Sequence, residues 1–175
     1  RSPRTLIMAT VTAAFISVNW LIYVWAIAVD RAVETALGYY INPLVTVMLG
    51  AVLLGERLNR YQLMAVALAV LAVFVLTVEA GGLPWVSLVL ALSFAIYGYL
   101  RKTLPIGPSQ GFFLEVLILA PPCLAGIVWL EWSGQGHMFT SGYDLALLLL
   151  AGPFTAVPLI LYAFGTKLLR ISTIG

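Results

Sequence analysis

Glu115 is the one carboxylate of this chain that lies inside a long apolar stretch of the sequence. An ionisable side chain is costly to bury in such surroundings, so Glu115 is a candidate for proton or solute coupling. It lies about one turn into a predicted helix, where the positive end of the helix or nearby water stabilises a carboxylate. We weigh a structural role beside the coupling role and favour the structural one.

A second group of side chains combines an amide with aromatic rings. Asn19, Trp20 and Tyr23 lie within five residues, and the two rings share one face of a helix because they are three residues apart. Such a face suits a moderately polar organic solute better than a bare ion. The alternative is an interhelical hydrogen bond from Asn19 combined with aromatic packing.

Prolines inside apolar stretches provide the third signal. Asn42-Pro43 is expected to interrupt one helix, and the carbonyl of Tyr39 then loses its helical partner because proline has no backbone N–H. A freed carbonyl in hydrocarbon needs a neighbouring helix or water, so interrupted helices tend to line a pathway. The alternative is a kinked helix that remains packed. The other interior prolines are Pro121, Pro122, Pro153 and Pro158.

The elements that carry these residues follow from composition. The chain has 175 residues, of which 62% are hydrophobic and 9% are charged, with a net charge of +2. A soluble domain needs roughly 25% charged residues, so this composition excludes that class and indicates an integral membrane protein. The apolar runs do not alternate as barrel strands do, and they are near the ~20 residues with which a helix spans a bilayer. The six predicted spans are 6–29, 36–54, 61–78, 85–100, 112–130 and 145–164.

Basic residues divide unequally between the two sides of a six-span chain. One side receives eight of the nine, and the other side receives only Arg31. By the positive-inside rule the eight-charge side is cytoplasmic, so both ends of the chain are expected in the cytoplasm. His137 falls in the longest outer loop and is expected to be solvated. The eight basic residues are Arg1, Arg4, Arg57, Arg60, Arg101, Lys102, Lys167 and Arg170.

Other positions predict how the helices are held together. Two stripes of small residues indicate close packing between helices. In Gly55-Glu56-Arg57, a short turn between spans, Glu56 and Arg57 are expected to cap helix ends or to pair with neighbours. Trp132, near a span end, is expected to be an interfacial anchor. The small-residue stripes are Ala65, Ala69 and Ala72, and Ala91, Ala95 and Gly98.

The sequence lacks the motifs of ATP-driven pumps and zinc proteases. It contains no Gly-rich phosphate loop and no His-Glu-x-x-His, and Cys123 is its only cysteine. We therefore expect no enzyme activity, no cofactor, no metal site and no nucleic-acid partner.

One internal similarity stands out. Trp25-Ala26-Ile27 followed by Thr35-Ala36-Leu37-Gly38 matches Tyr162-Ala163-Phe164 followed by Ser172-Thr173-Ile174-Gly175, at a constant offset of 137 residues. The first and sixth spans should run in opposite directions, as they do in the inverted repeats of secondary transporters. The alternative is a chance match among apolar residues.

Six segments carry a resemblance to a known family: 19–26 (NWLIYVWA), 34–44 (ETALGYYINPL), 54–58 (LGERL), 93–98 (SFAIYG) with Arg101-Lys102, Leu114-Glu115, and 169–175 (LRISTIG). They resemble RarD proteins, in the EamA branch of the drug/metabolite transporter superfamily. The resemblance implies ten helices in two inverted five-helix repeats around a central cavity, in the bacterial inner membrane. It also implies that residues 1–79 hold the last three helices of the first repeat and residues 80–175 the first three of the second, so that the chain is a fragment.

These observations together predict a secondary transporter that moves small organic molecules by alternating access. Its partners would be the lipid bilayer, a small organic solute and, in one arrangement, a second copy of the chain as a homodimer. The alternatives are a non-transporting membrane scaffold or subunit, and a truncated inactive fragment. The predicted substrate pathway comprises Asn19, Trp20, Tyr23, Tyr39, Asn42 and Pro43, with Glu115 as a lesser candidate for coupling.

Overall fold

The computed structural model describes residues 3–79, 84–136 and 141–174, and His137 and both chain ends lie outside these ranges. The described residues form six long helices and one short one. Each long helix covers one of the apolar stretches predicted from the sequence, with ends that differ by a few residues. The helices are α1 (Pro3–Ala28), α2 (Ala32–Leu54), α3 (Arg60–Glu79), α4 (Trp85–Thr103), α5 (Pro108–Trp132), α6 (Gly142–Leu168) and α7 (Ile171–Ile174).

Four of the described helices, α1, α2, α5 and α6, are long and apolar enough to cross a membrane. α3 is apolar over a shorter stretch, Arg60–Val75. α4 is less apolar because it buries polar side chains, among them Ser87, Ser93 and Arg101. The chain is therefore an all-helical membrane protein, and length and composition support four of its six predicted spans.

Local signals fix several helix ends. α2 ends at Gly55, whose φ of 65° lies in the left-handed region that favours glycine. Asn59 and Gln62 form a reciprocal capping box at the start of α3, in which each side chain accepts from the other's backbone N–H. Ser141 caps α6 by accepting from the backbone N–H of Asp144 at 3.0 Å.

The interior prolines do not divide the helices, so the expected interruption at Asn42-Pro43 is wrong. α2 continues through Pro43, and α5 and α6 continue through their proline pairs. Each proline removes one backbone hydrogen bond, but its fixed φ is compatible with the helical conformation. The hydrogen bonds of the flanking turns are sufficient to keep each helix continuous.

Successive helices run in alternating directions. At one end of the bundle, Lys102 near the end of α4 donates to the carbonyl of Thr166 near the end of α6, at 3.1 Å. At the other end, the ring of Trp25 near the end of α1 lies 5.6 Å from that of Trp85 at the start of α4. α1 is therefore antiparallel to α4 and α6, as the alternation of six spans predicts for the first and sixth. We call the first of these ends the basic end and the second the opposite end. The described basic residues at the basic end are Arg4, Arg57, Arg60, Arg101, Lys102, Lys167 and Arg170.

α4 is the centre of the bundle, since α1, α2 and α6 all pack against it. The predicted small-residue stripe Ala91, Ala95 and Gly98 is buried along this helix, which confirms close packing. The predicted stripe on α3 behaves differently, because Ala65 and Ala72 are exposed. α3 makes its main contact with α2 and presents large apolar side chains outward, as a lipid-facing helix does.

Candidate functional site

A cavity of about 260 Å³ lies between α1, α4, α5 and α6, and we call it the main cavity. It brings together two of the predicted site residues, Trp20 from α1 and Glu115 from α5. The other residues around it are mostly aromatic or aliphatic, with hydroxyl groups from Ser17 and Tyr97. The lining residues are Ile16, Ser17, Trp20, Tyr97, Phe112, Glu115, Val116, Leu119 and Leu159.

Glu115 forms a buried ion pair with Arg101. Nη1 of Arg101 lies 3.3 Å from Oε1 of Glu115, and the residues are 2% and 3% exposed. The hydroxyl of Tyr97 donates to Oε2 of Glu115 at 3.4 Å. Nη2 of Arg101 donates to the carbonyl of Pro108 at 2.8 Å, which fastens the end of α4 to the start of α5. The pair gives Glu115 a structural partner, in agreement with the favoured alternative.

The sequence contains a signal that could have predicted this ion pair. Arg101 lies in the last turn of α4, Glu115 is the eighth residue of α5, and the connection between the helices is short. A short connection places the end of one helix beside the start of the next, so a basic side chain before it can pair with an acidic side chain after it. Arg101 was missed as a partner of Glu115 because its charge was interpreted only as a signal of membrane orientation.

An aromatic row leads away from the main cavity. The rings of Trp20 and Tyr23 are 6.1 Å apart, and those of Tyr23 and Tyr39 are 5.9 Å apart, both edge to face. Such contacts add roughly 0.5–1.5 kcal/mol beyond the buried area. The row thus joins three predicted pathway residues from α1 and α2, although Tyr23 and Tyr39 lie outside the main cavity lining.

The two predicted asparagines hold α4 from two sides. Nδ2 of Asn19 donates to the carbonyl of Leu90 at 3.0 Å and to the hydroxyl of Ser93 at 2.8 Å. Nδ2 of Asn42 donates to the carbonyl of Ala91 at 3.1 Å. The interhelical hydrogen bond that was the alternative for Asn19 is therefore present.

Asn19 and Asn42 also meet at a second, much smaller cavity of about 10 Å³. That volume is near the minimum that one water molecule requires. Pro43 is not among the residues that line either of these two cavities. The small cavity is lined by Asn19, Gly38, Tyr39, Asn42, Leu90 and Phe94.

A second aromatic cluster, absent from the prediction, joins α4 to α6. The ring of Tyr162 lies 5.1 Å from that of Phe94 and 6.4 Å from that of Tyr97. Gly98 leaves room for the Tyr162 hydroxyl, since a Cβ at this position would overlap it. Tyr162 is the residue that the internal similarity pairs with Trp25, and both pack against α4.

At the basic end, two lysines cap each other's helices. Lys102 of α4 donates to the carbonyls of Thr166 and Leu169 at the end of α6. Lys167 of α6 donates in turn to the carbonyl of Leu104 at the end of α4. A cation at a helix C-terminus compensates the negative end of the helix dipole, so each lysine stabilises the neighbouring helix end.

Glu56 caps the start of α7, which confirms the predicted capping role. Its carboxylate accepts from the backbone N–H groups of Ile171 at 3.1 Å and of Ser172 at 2.9 Å. Partial burial raises the pKa of Glu56, but the hydrogen bonds from Ser172 and Ile171 and the nearby charge of Lys102 outweigh it, so the pKa is lower than usual. Gln62 of α3 also donates to the carbonyl of Ser172 at 3.0 Å, so α2 and α3 both hold α7.

Arg31, the one basic residue predicted for the opposite end, is held by rings and a carboxylate. Its Nε lies 2.5 Å from Oε1 of Glu34. Its guanidinium carbon lies 5.1 Å from the ring centroid of Trp85 and 5.7 Å from that of Trp25. Cation–π contacts of this kind contribute roughly 0.5–2 kcal/mol. The Arg31 charge is thus compensated where α1, α2 and α4 meet.

No group of three His, Cys, Asp or Glu side chains in the described ranges could hold a metal ion. The main cavity combines an apolar wall, three aromatic rings and one carboxylate, a composition typical of pockets for organic molecules.

Comparison with known proteins gives one family and several relatives. Residues 1–78 match the EamA-like transporter family. The chain is 43% identical over 176 residues to Protein RarD of Streptomyces exfoliatus and 39% identical over 176 residues to Protein RarD of Escherichia coli (strain K12). It is also 39% identical over 175 residues to an uncharacterized transporter of Vibrio cholerae serotype O1.

These alignments cover the relatives only in part. They include 100%, 100% and 99% of this chain but 56%, 60% and 58% of the respective relatives. The chain therefore spans less than two thirds of the length of each of these relatives. No solved structure matches it.

Proposed function

Because this chain is a RarD-type protein of the EamA-like transporter family, we propose that it forms part of a secondary transporter for small organic molecules. The full-length protein would move its solute by alternating access, with two repeats rocking about a site in the middle of the membrane. In this proposal residues 1–79 belong to the first repeat and residues 80–175 to the second. The family match over residues 1–78 supports a boundary at this place.

The main cavity is the observation that carries the proposal. Its wall includes Ile16, Ser17 and Trp20 from the proposed first repeat and residues of α4, α5 and α6 from the second. A cavity between two units that move relative to each other is exposed in turn to either side of the membrane. Its mainly apolar wall with few polar groups suits an organic solute.

We assign the pathway residues different parts in this proposal. Trp20 contacts the solute in the main cavity, and Tyr23 and Tyr39 extend the aromatic surface beyond it. Asn19 and Asn42 keep α1 and α2 on α4 and hold the edge of the pathway in place. Pro43 lies in the same turn of α2 as Asn42 and leaves the Tyr39 carbonyl available to water.

We further propose the bacterial inner membrane as the location, with the basic end in the cytoplasm. The described basic residues other than Arg31 lie at that end, and Arg31 is paired with Glu34 at the opposite end. Cytoplasmic loops carry the excess of lysine and arginine in membrane proteins, which supports this orientation.

Uptake into vesicles tests the transport function. The full-length protein in proteoliposomes is given, one at a time, radiolabelled chloramphenicol, phenylalanine, trimethylphenylammonium and benzenesulfonate. Chloramphenicol is included because a relative from Pseudomonas aeruginosa, 37% identical over 138 residues, is called a chloramphenicol-sensitive RarD protein. We expect saturable uptake of at least one probe above that of empty vesicles.

Two tryptophan variants distinguish a loss of solute contacts in the main cavity from a general effect of removing a tryptophan. Trp20→Ala should reduce saturable uptake at least about tenfold, because aromatic contacts to a bound solute are lost. Trp132→Ala is the matched control, since Trp132 is 89% exposed at the end of α5 and should keep wild-type uptake. Absence of uptake for every probe, or equal uptake by both variants, would contradict the proposed function.

A further inference from the structure

The main cavity has a negatively charged side chain in its lining. Among the described residues that line it, Glu115 is the only charged one. Ser17 and Tyr97 contribute hydroxyl groups, and the remaining residues are apolar or are the aromatic residues Trp20 and Phe112. A solute in the main cavity therefore meets a carboxylate and several rings.

Arg101 does not offer its positive charge to the same space. Its guanidinium packs over Gly111, where a Cβ would overlap Nη1, and Nη2 donates to the carbonyl of Pro108 at 2.8 Å. Arg101 is 2% exposed and is not among the residues that line the main cavity. The guanidinium thus lies outside the lining of the main cavity, whereas Glu115 belongs to it.

The carboxylate of Glu115 retains capacity to accept hydrogen bonds. Its contacts with Arg101 and Tyr97, at 3.3 and 3.4 Å, are longer than the roughly 2.5–2.9 Å of strong charge-assisted hydrogen bonds. The Thr12 hydroxyl, which also lies 2.8 Å from the carbonyl of Ala9, is a third hydrogen-bonding partner of this carboxylate. A carboxylate has about four acceptor positions, so Glu115 can interact with one more positive group or donor.

The rings complete a site for a cation. The faces of aromatic rings carry negative potential and attract cations within about 6 Å of the ring centre, and tryptophan attracts them most strongly. The main cavity presents Trp20, Tyr97 and Phe112 on three different helices together with the Glu115 carboxylate. Its volume of about 260 Å³ is just below the roughly 300–1,000 Å³ of drug-sized ligand sites.

We propose that the main cavity selects small aromatic organic cations, with the positive group placed between the Glu115 carboxylate and the rings of Trp20 and Phe112. This inference rests on the proposed transport function and names the substrate class of the same site. Benzenesulfonate and other small anions are disfavoured, because their charge would face the Glu115 carboxylate while the guanidinium of Arg101 lies outside the cavity lining.

Equilibrium binding to the full-length protein in nanodiscs tests the inference with three probes of similar size. They are trimethylphenylammonium as the cation, acetanilide as the neutral molecule and benzenesulfonate as the anion. We expect the cation to bind at least about tenfold more tightly than acetanilide, with benzenesulfonate the weakest. Equal binding of cation and neutral probe, tighter binding of the anion, or binding of none overturns the inference.

Variants of adjacent phenylalanines locate the cation. Phe112→Leu keeps an apolar side chain in the main cavity but removes a ring. It should therefore weaken the binding of trimethylphenylammonium at least about threefold more than the binding of acetanilide. Phe113→Leu is the matched control, because Phe113 is 63% exposed and does not line the main cavity. The same loss of cation binding in both variants would count against the proposed position.

Neutralising the carboxylate provides the second variant test. Glu115→Gln should abolish the preference for the cation while acetanilide still binds. Since this change leaves Arg101 unpaired, the double variant Arg101→Gln, Glu115→Gln is measured beside it and should show the same loss of preference. A preserved preference in the folded double variant overturns the inference. Saturable, Trp20-dependent uptake of a neutral or anionic probe would leave the transport function standing while excluding the cation class.

Discussion

The carboxylate of Glu56 accepts a hydrogen bond from the backbone N–H of Ser172 at 2.9 Å, although 116 residues separate them in the sequence. This contact joins the end of α2 to the start of α7. In the proposed two-repeat arrangement it is a bridge between the repeats at the basic end. A bridge at this position would have to open if the basic end opens during transport.

The first prediction concerns the charge of Glu56. Its pKa is lowered, so its contribution to stability is present above the ordinary carboxyl pKa of about 4.3 and is lost as the pH falls through the lowered value. Glu56→Gln should therefore lower Tm at neutral pH, and the difference from wild type should shrink in acid. Thermal unfolding in detergent between neutral and acidic pH measures this. Arg57→Gln, at the exposed neighbouring residue, should show no such pH-dependent difference.

The second prediction concerns the contact between Gly98 and Tyr162. A Cβ at residue 98 would overlap the Tyr162 hydroxyl, so Gly98→Ala should destabilise the packing of α4 on α6 by about 1–3 kcal/mol. Adding Tyr162→Phe should recover part of the loss because the overlapping hydroxyl is removed. Thermal unfolding of the single and double variants decides this. Gly126→Ala is the control, since a Cβ there meets nothing within 4 Å.

The third prediction concerns the buried ion pair. Arg101→Met leaves the Glu115 carboxylate buried without its charged partner, and breaking a buried pair in this way costs about 3–5 kcal/mol. The double variant Arg101→Met, Glu115→Gln should be more stable than Arg101→Met alone, since no uncompensated charge remains. Denaturant or thermal unfolding gives the comparison. If the double variant loses as much as the two single variants together, the residues do not act as a pair.

The fourth prediction concerns orientation. In a Cys123→Ser background, a cysteine at residue 135 should react with an impermeant maleimide added to intact cells, because Gln135 follows α5 at the opposite end. A cysteine at residue 57 should react only after the membrane is permeabilised, because Arg57 lies at the basic end. The reverse pattern would place the basic end outside.

The positions of the helices could be predicted because each apolar stretch forms one helix. Packing partners could not, because hydropathy gives no information about which helices touch. The sequence left two alternatives open for Asn19, and the hydrogen bond to Leu90, 71 residues away, shows that it joins α1 to α4. The two small-residue stripes look alike in sequence, yet Ala91 and Ala95 are buried while Ala65 and Ala72 are exposed.

The candidate site was predicted in part. Trp20 and Glu115 were identified from their residue types, and the structure places both at the main cavity. Tyr97 and Phe112 were missed because single aromatic residues in an apolar helix are not distinguishable from packing residues. Pro43 was expected to break α2, but one lost hydrogen bond is insufficient to end a helix whose other turns remain bonded.

The asparagine contacts to α4 have a consequence for synthesis of the protein. Asn19 and Asn42 bind backbone carbonyls that lie 71 and 49 residues further along the chain. At a translation rate of about 5–20 residues per second, Asn19 waits on the order of 4–14 s before Leu90 is made. During that time the Nδ2 groups of both asparagines lack the α4 carbonyls to which they donate in the folded chain. Synthesis of α4 therefore supplies the acceptors for both amides, and α1 and α2 gain these hydrogen bonds only after the fourth helix is made.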